Sequence, residues 1–206
     1  MWENVFHVEG LLFKLGSKAW GLLILNFWLL VTSLPLITIG SSLTAAYYVA
    51  IKMIKEDDYR VTLNYFHSFK LNLKKSTGLW LILLIIGMIL GLDWFYLIRG
   101  QELQSWLTIG VIIVTVLVSQ LYQVSFFYLA RYQGNLQALI KGSLQLMFQQ
   151  PLKSLLLVVI FATPFVLMVL SPYMLVFQLY ISLFFGLSFN LFLRTYVLLM
   201  IFQKYE

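Results

Sequence analysis

The chain has 206 residues, of which 61% are hydrophobic and only 11% charged, with a formal net charge of +6 and no cysteine. Ordinary globular domains carry about a quarter charged residues, so a soluble fold is excluded in favour of a polytopic all-α membrane protein, one integral membrane domain over residues 1–206. The missing cysteines exclude disulfides, thiolate metal sites and cysteine nucleophiles. The basic residues flank apolar runs, where anionic lipid headgroups rather than nucleic acid would meet them.

Residues 1–19 are mildly amphipathic, with Trp2, Val5, Phe6, Leu12 and Leu15 suited to the bilayer surface. Glu3 and Glu9 precede the first basic residues, so this is not read as a cleavable signal. Five stretches reach the roughly 20 apolar residues that a crossing needs: about 20–39, 79–98, 106–130, 152–170 and 173–193. Loops 52–75 and 131–151 are expected on the cytoplasmic side. Only Ser171-Pro172 separates the last two spans, which predicts a tight antiparallel hairpin.

The first span ends in "SLPLITIG", where Pro35 removes a backbone donor and Gly40 tolerates unusual dihedrals. Residues 20–51 look too short for two crossings at about 1.5 Å per residue. The stretch is therefore read as one crossing broken around Pro35 to Ser41; a re-entrant hairpin is the alternative. With five crossings, one face carries Lys14, Lys18 and Arg99, and the other carries Lys52, Lys55, Arg60, Lys70, Lys74, Lys75, Arg131, Lys141, Lys153 and Lys204. The positive-inside rule then puts the N-terminus outside and the C-terminus in the cytoplasm. The re-entrant alternative would return Lys14 and Lys18 to the cytoplasm and sharpen the asymmetry.

Two cytoplasmic segments have helical amphipathic spacing. In the first, Tyr59, Leu63, Phe66, Phe69 and Leu73 form an apolar face beside Lys70 and Lys74. In the second, Leu136, Leu139, Ile140, Leu144 and Met147 lie opposite Gln137, Lys141, Gln145 and Gln149, between an Asn135 cap and a Pro151 stop. Tyr59, Phe66, Phe69, Lys70 and Lys141 are the candidate partner-docking residues. "YYVAIK" at 47–52 and "FFYLAR" at 126–131 precede the two segments, which suggests either a degenerate parallel repeat or a chance likeness.

Polar residues inside the spans are the candidate functional groups. Asp93 reads as an interfacial carboxylate or as a substrate or proton group; Arg194 either snorkels to the headgroups or pairs inside the bundle. Asn26, Gln120, Gln123, Gln178 and Asn190 would bond between helices or line a path. Gly87 and Gly91 form a small-residue pair that permits close helix packing. No nucleophile–base motif, phosphate loop or metal-ligand set is present in the sequence, so no enzyme activity, cofactor or metal is expected.

Three stretches carry a family resemblance: "NFWLLVTSLPLITIGSSLTAAYYVAIKMI", "FHSFKLNLKKSTGLWLILL" and "FYLARYQGNLQALIKGSLQLMFQQPLKSL". They resemble the YesL family of bacterial membrane proteins, a family of unknown function. The resemblance implies a multi-pass protein of the bacterial cell membrane, often encoded near carbohydrate-uptake permeases, and it brings no catalytic residues. The function expected is therefore a non-enzymatic accessory subunit associated with a carbohydrate importer or its sensor kinase. An oligomeric transporter or channel subunit is the alternative.

Overall fold

A computed structural model describes residues 11–100, 106–132 and 149–203, and every regular element in them is helical. In chain order these are α1 (Leu11–Ser33), a 3-10 turn (Leu36–Thr38), α2 (Ile39–Lys55), α3 (Val61–Arg99), α4 (Trp106–Tyr132), α5 (Pro151–Leu170) and α6 (Pro172–Ile181). A π-helical turn (Ser182–Gly186) carries α6 directly into α7 (Leu187–Phe202). Six helical stretches are long and apolar enough to cross a membrane, the last being Pro172–Phe202. The sequence reading has five, and the sixth comes from its N-terminal third.

There the chain makes a helical hairpin, not one kinked crossing. Thr32 Oγ1 lies 2.8 Å from Ser42 Oγ near the turn, while a Cβ on Gly21 would lie 2.8 Å from Met53 Cε far from it. The two helices thus run antiparallel. The turn forms because Pro35 has no N–H to donate, and Thr38 closes it by donating to the carbonyls of Thr32 (2.6 Å) and Pro35 (2.8 Å). The length objection fails because α1 begins well before Trp20 and α2 runs on to Lys55. Their 23 and 17 residues give about 34 and 26 Å of helix. Residues 11–19, expected at the bilayer surface, are the first turns of α1.

The segment at 61–75, expected as a separate surface helix, is the first third of a continuous 39-residue α3. Its buried face is also not the apolar one. Leu63 is 65% and Leu73 39% exposed, Tyr59, Phe66 and Phe69 are half-buried, and Asn64, Ser68, Asn72 and Ser76 are buried. These four recur every four residues, so they form one stripe, and that stripe packs on α2. Small and polar residues are favoured between membrane helices because lipid tails already solvate large apolar ones. The second surface helix, with Lys141 and the second copy of the repeat, lies outside the described residues.

The helix α2 sits at the centre, touching α1, α3, α4 and α7. Its inward face is Gly40, Ser41, Ser42, Thr44, Ala45, Ala46, Tyr47, Val49, Ala50 and Met53, all buried. Thr44 Oγ1 meets Ser76 Oγ at 2.8 Å and Ser41 Oγ meets Thr77 Oγ1 at 3.1 Å. A Cβ on Gly40 would collide with the Ser76 carbonyl and come within 2.6 Å of Trp80 Cβ, so α2 and α3 approach as closely as a glycine allows. Phe126, Phe127, Leu191 and Leu198 complete the core around Tyr47. Between the last two crossings, Ser171 is extended (φ −161°, ψ 146°), accepts from the Tyr173 N–H, and turns α5 into α6 with Pro172 as first residue.

Candidate functional site

Two breaks in regular helix border one cavity. Pro164 lies inside α5 and cannot donate to the carbonyl of Ile160, four residues earlier. Asn190 of α7 supplies the missing donor: its Nδ2 lies 2.7 Å from the Ile160 oxygen. The π-helical turn is satisfied by Asn26 of α1, which is fully buried. Its Nδ2 donates to the carbonyls of Ser182 (3.0 Å) and Leu183 (2.8 Å), and its Oδ1 accepts from the Ser188 N–H (3.0 Å). Ser188 Oγ adds a bond to the Leu22 carbonyl at 2.8 Å. Glycine is required at 186, where a Cβ would fall 3.0 Å from the Ile181 carbonyl group.

The extra residue in the π-helical turn sets the rotation of α7, whose inward face becomes Ser188, Leu191, Arg194, Thr195 and Leu198. Arg194 is 6% exposed. Its guanidinium carbon lies 5.4 Å from the Phe161 ring centre and 5.9 Å from that of Tyr47. Neither its Nε nor its Nη1 has a hydrogen-bond partner, and the buried Tyr47 hydroxyl beside it has none. Arg194 therefore does not snorkel outward, and among the described residues no carboxylate pairs with it. Beside it is a cavity of about 440 Å³ between α5, the π-helical turn and α7, closed at the back by Leu29, Leu43 and Tyr122. Phe165 (58% exposed) and Phe189 (42%) line the same cavity and stand at the bundle surface, so it opens sideways.

The remaining candidates scatter. Asp93 is exposed on α3 and far along the chain from any partner in this cavity. Gln120 is buried and donates to the Ser154 carbonyl at 2.7 Å, tying α4 to α5. Gln123 is buried, donates to the Ser119 carbonyl at 3.4 Å, and leaves its Oε1 without a partner. Gln178 lines the cavity and donates to Ser182 Oγ at 3.3 Å. Pro35 and Gly40 shape the hairpin and its contact with α3, as described above. Phe66 packs edge-on against Trp28 (4.7 Å) and Phe69 stacks on Tyr65, both half-buried, whereas Lys70 is exposed. Gly87 and Gly91 meet nothing within 4 Å and line an open groove of about 530 Å³ between α3 and α4. Their small size is not used for packing within this chain.

At the α2–α3 turn, Asp58 gathers Arg60 in a two-point contact (Nε–Oδ1 and Nη2–Oδ2, both 3.0 Å), the Arg60 N–H and Asn64 Nδ2. The Arg60 hydrogen bonds hold its carboxyl well below the usual carboxylate range. This cluster starts α3 and holds the end of α2 through Lys52, 3.8 Å from Asp58.

Sequence reading finds Arg194, Asn190, Asn26 and Gln178 as polar residues at membrane depth but overlooks Tyr47, Pro164 and Gly186. Proline within an apolar run was the available signal for the second of these.

No curated protein and no solved structure matches the chain. Residues 22–94, from α1 through the hairpin to near the end of α3, match the family described as "Protein of unknown function, DUF624".

Proposed function

We propose that this chain is a non-enzymatic, six-crossing protein of the bacterial cell membrane with both ends in the cytoplasm, acting as an accessory subunit of a carbohydrate importer or of its sensor kinase. The observation that carries the topology is charge. With six crossings, Lys14, Lys18, Lys52, Lys55, Arg60, Arg131 and Lys153 fall on the side of the two chain ends and Arg99 on the other, while Lys70, Lys74 and Lys75 lie part-way along α3 beside α2. That asymmetry is sharper than five crossings allow and supports a cytoplasmic N-terminus. The absence of cysteine makes the test clean. A single cysteine replacing Lys14 should react with a membrane-impermeant maleimide only after permeabilisation, and one replacing Ile37 should react in intact cells. Labelling of the Lys14 position from outside would restore five crossings.

The partner reading is supported by α3. Its 39 residues extend about 58 Å, nearly twice the hydrocarbon thickness, and its first half runs beside the α1–α2 hairpin, with Phe66 on Trp28 and Ser76 on Thr44. There Leu63, Leu71, Lys70 and Lys74 are exposed together, a surface suited to an acidic, partly apolar segment. The likeness to the YesL family names the kind of partner. Photo-crosslinkers at Lys70 and Leu71 in native membranes should capture a permease or kinase subunit; adducts with lipid alone would overturn the reading. A transporter or channel subunit is the second reading, favoured by the buried Arg194 beside a membrane cavity. Reconstituted flux that is lost in Arg194→Gln would favour it over the first.

A further inference from the structure

We propose that Arg194 is the recognition group of a binding site for an anionic ligand, a molecule that brings carboxylate or phosphate oxygens into the cavity between α5, the π-helical turn and α7. A guanidinium stays protonated in any protein setting. Burying its charge without a counter-charge is costly, and at membrane depth such a group faces a partner or a water-filled space. Arg194 is buried, two of its nitrogens have no acceptor, and the neighbouring Tyr47 hydroxyl is equally unsatisfied. The Phe161 and Tyr47 rings offset part of the cost by cation–π contact, but they accept no hydrogen bond in the guanidinium plane.

No polar group around the cavity accepts from Arg194 Nε or Nη1; the Asn190 and Gln178 amides turn their nitrogens to the Ile160 carbonyl and to Ser182 Oγ. The ion pairs of the described acidic residues lie at the α2–α3 turn, with Lys52 and Arg60. What remains is a space of about 440 Å³, within the range of small-ligand sites, with the Arg194 cation at one wall and mostly apolar side chains elsewhere. Oxygens carrying negative charge fit such a wall best, since guanidinium forms strong charge-assisted bonds with carboxylate and phosphate. The sideways opening past Phe165 and Phe189 suits an amphiphile entering from the bilayer, yet a small soluble anion presents the same oxygens. The inference does not depend on which partner α3 meets.

The full chain in detergent, studied by native mass spectrometry, separates these sources. One arm titrates phosphatidic acid against phosphatidylcholine with identical acyl chains; the other titrates inorganic phosphate. Wild type should retain one phosphatidic acid molecule about tenfold more tightly than phosphatidylcholine, or else retain inorganic phosphate. The first result assigns the site to a lipid headgroup and the second to a soluble anion. Arg194→Gln should erase that preference, while Lys74→Gln, which removes an exposed charge on α3, should keep it. Leu167→Trp keeps the charge but fills the cavity, and should weaken retention even if Arg194→Gln fails to fold. Neither probe being retained by wild type, or a Leu167→Trp variant binding as wild type does, would overturn the proposal.

Discussion

Replacing Asn26 with leucine keeps the side-chain size and removes the three hydrogen bonds that Asn26 makes at the π-helical turn. Three backbone groups lose a partner at once: the Ser182 and Leu183 carbonyls and the Ser188 N–H. The site is fully buried, so water cannot replace them. A side-chain hydrogen bond between membrane helices is worth about 0.6–1.7 kcal/mol, and a buried group left unpaired costs about 1–3 kcal/mol. Three such losses give a destabilisation of roughly 2–5 kcal/mol. Unfolding of the purified chain by sodium dodecyl sulfate in mixed micelles, followed by far-UV circular dichroism, would measure it. Asn26→Asp should be no more stable than Asn26→Leu at neutral pH, because it sets a buried carboxylate oxygen against the Ser182 and Leu183 carbonyls. A shift below about 0.5 kcal/mol for Asn26→Leu would mean that the turn stands without the side chain, and that α1 does not fix the register of α7.

Gly40→Ala should destabilise the bundle by about 1–3 kcal/mol through overpacking against Ser76 and Trp80; Gly87→Ala, in open space, should be near neutral in the same melt. Asn190→Ala should cost about 1 kcal/mol in wild type and much less in a Pro164→Ala background, where the restored N–H supplies the Ile160 carbonyl. A coupling of zero in that double-mutant cycle would remove the account of Asn190. For Asp58 the carboxyl is held low by Arg60, so its stabilisation is fully present above the unfolded value of about 3.9 and fades as pH falls through the folded one. The stability gap between wild type and Asp58→Asn should therefore stay constant from about pH 7 to 5 and close below about pH 4; a gap that closes at pH 6 would contradict this.

Helices that face lipid were legible, and the helix that faces only protein was not. α5 and the second half of α3 read clearly because their exposed Leu, Ile and Val make unbroken runs. α2 is enclosed by four other helices, so its inward face is made of Gly, Ser, Thr and Ala, and it reads as the tail of a kinked span. The same inversion misled the reading of 61–75. An amphipathic rule built for water assigns the leucines to the core, but here Asn64, Ser68, Asn72 and Ser76 pack inward while Leu63 and Leu71 point out. For the cavity, the oddness of Arg194 was visible, but its direction was not. That direction depends on one extra residue in the π-helical turn, and no local pattern announces it. Shifting α7 by one residue would rotate Arg194 by about 100°, away from the Tyr47–Phe161 sandwich.

The breaks around the cavity share a logic that explains their place. A helix interrupted within a bilayer frees carbonyls that lipid cannot satisfy, so each break must sit against a donor from another helix. Asn190 answers Pro164 and Asn26 answers the π-helical turn. Each answer also locks a helix pair, α5 with α7 and α1 with α6–α7, and the space left where those pairs part is the cavity. Arg194 is the exception within this scheme. Among the described residues lining that space, Arg194 is the charged one with buried donors that lack a protein acceptor, whereas the amide nitrogens of Asn190 and Gln178 are committed to a carbonyl and a hydroxyl. A bundle in which every other interruption is matched residue by residue has, at this one place, left the acceptor to be supplied from outside.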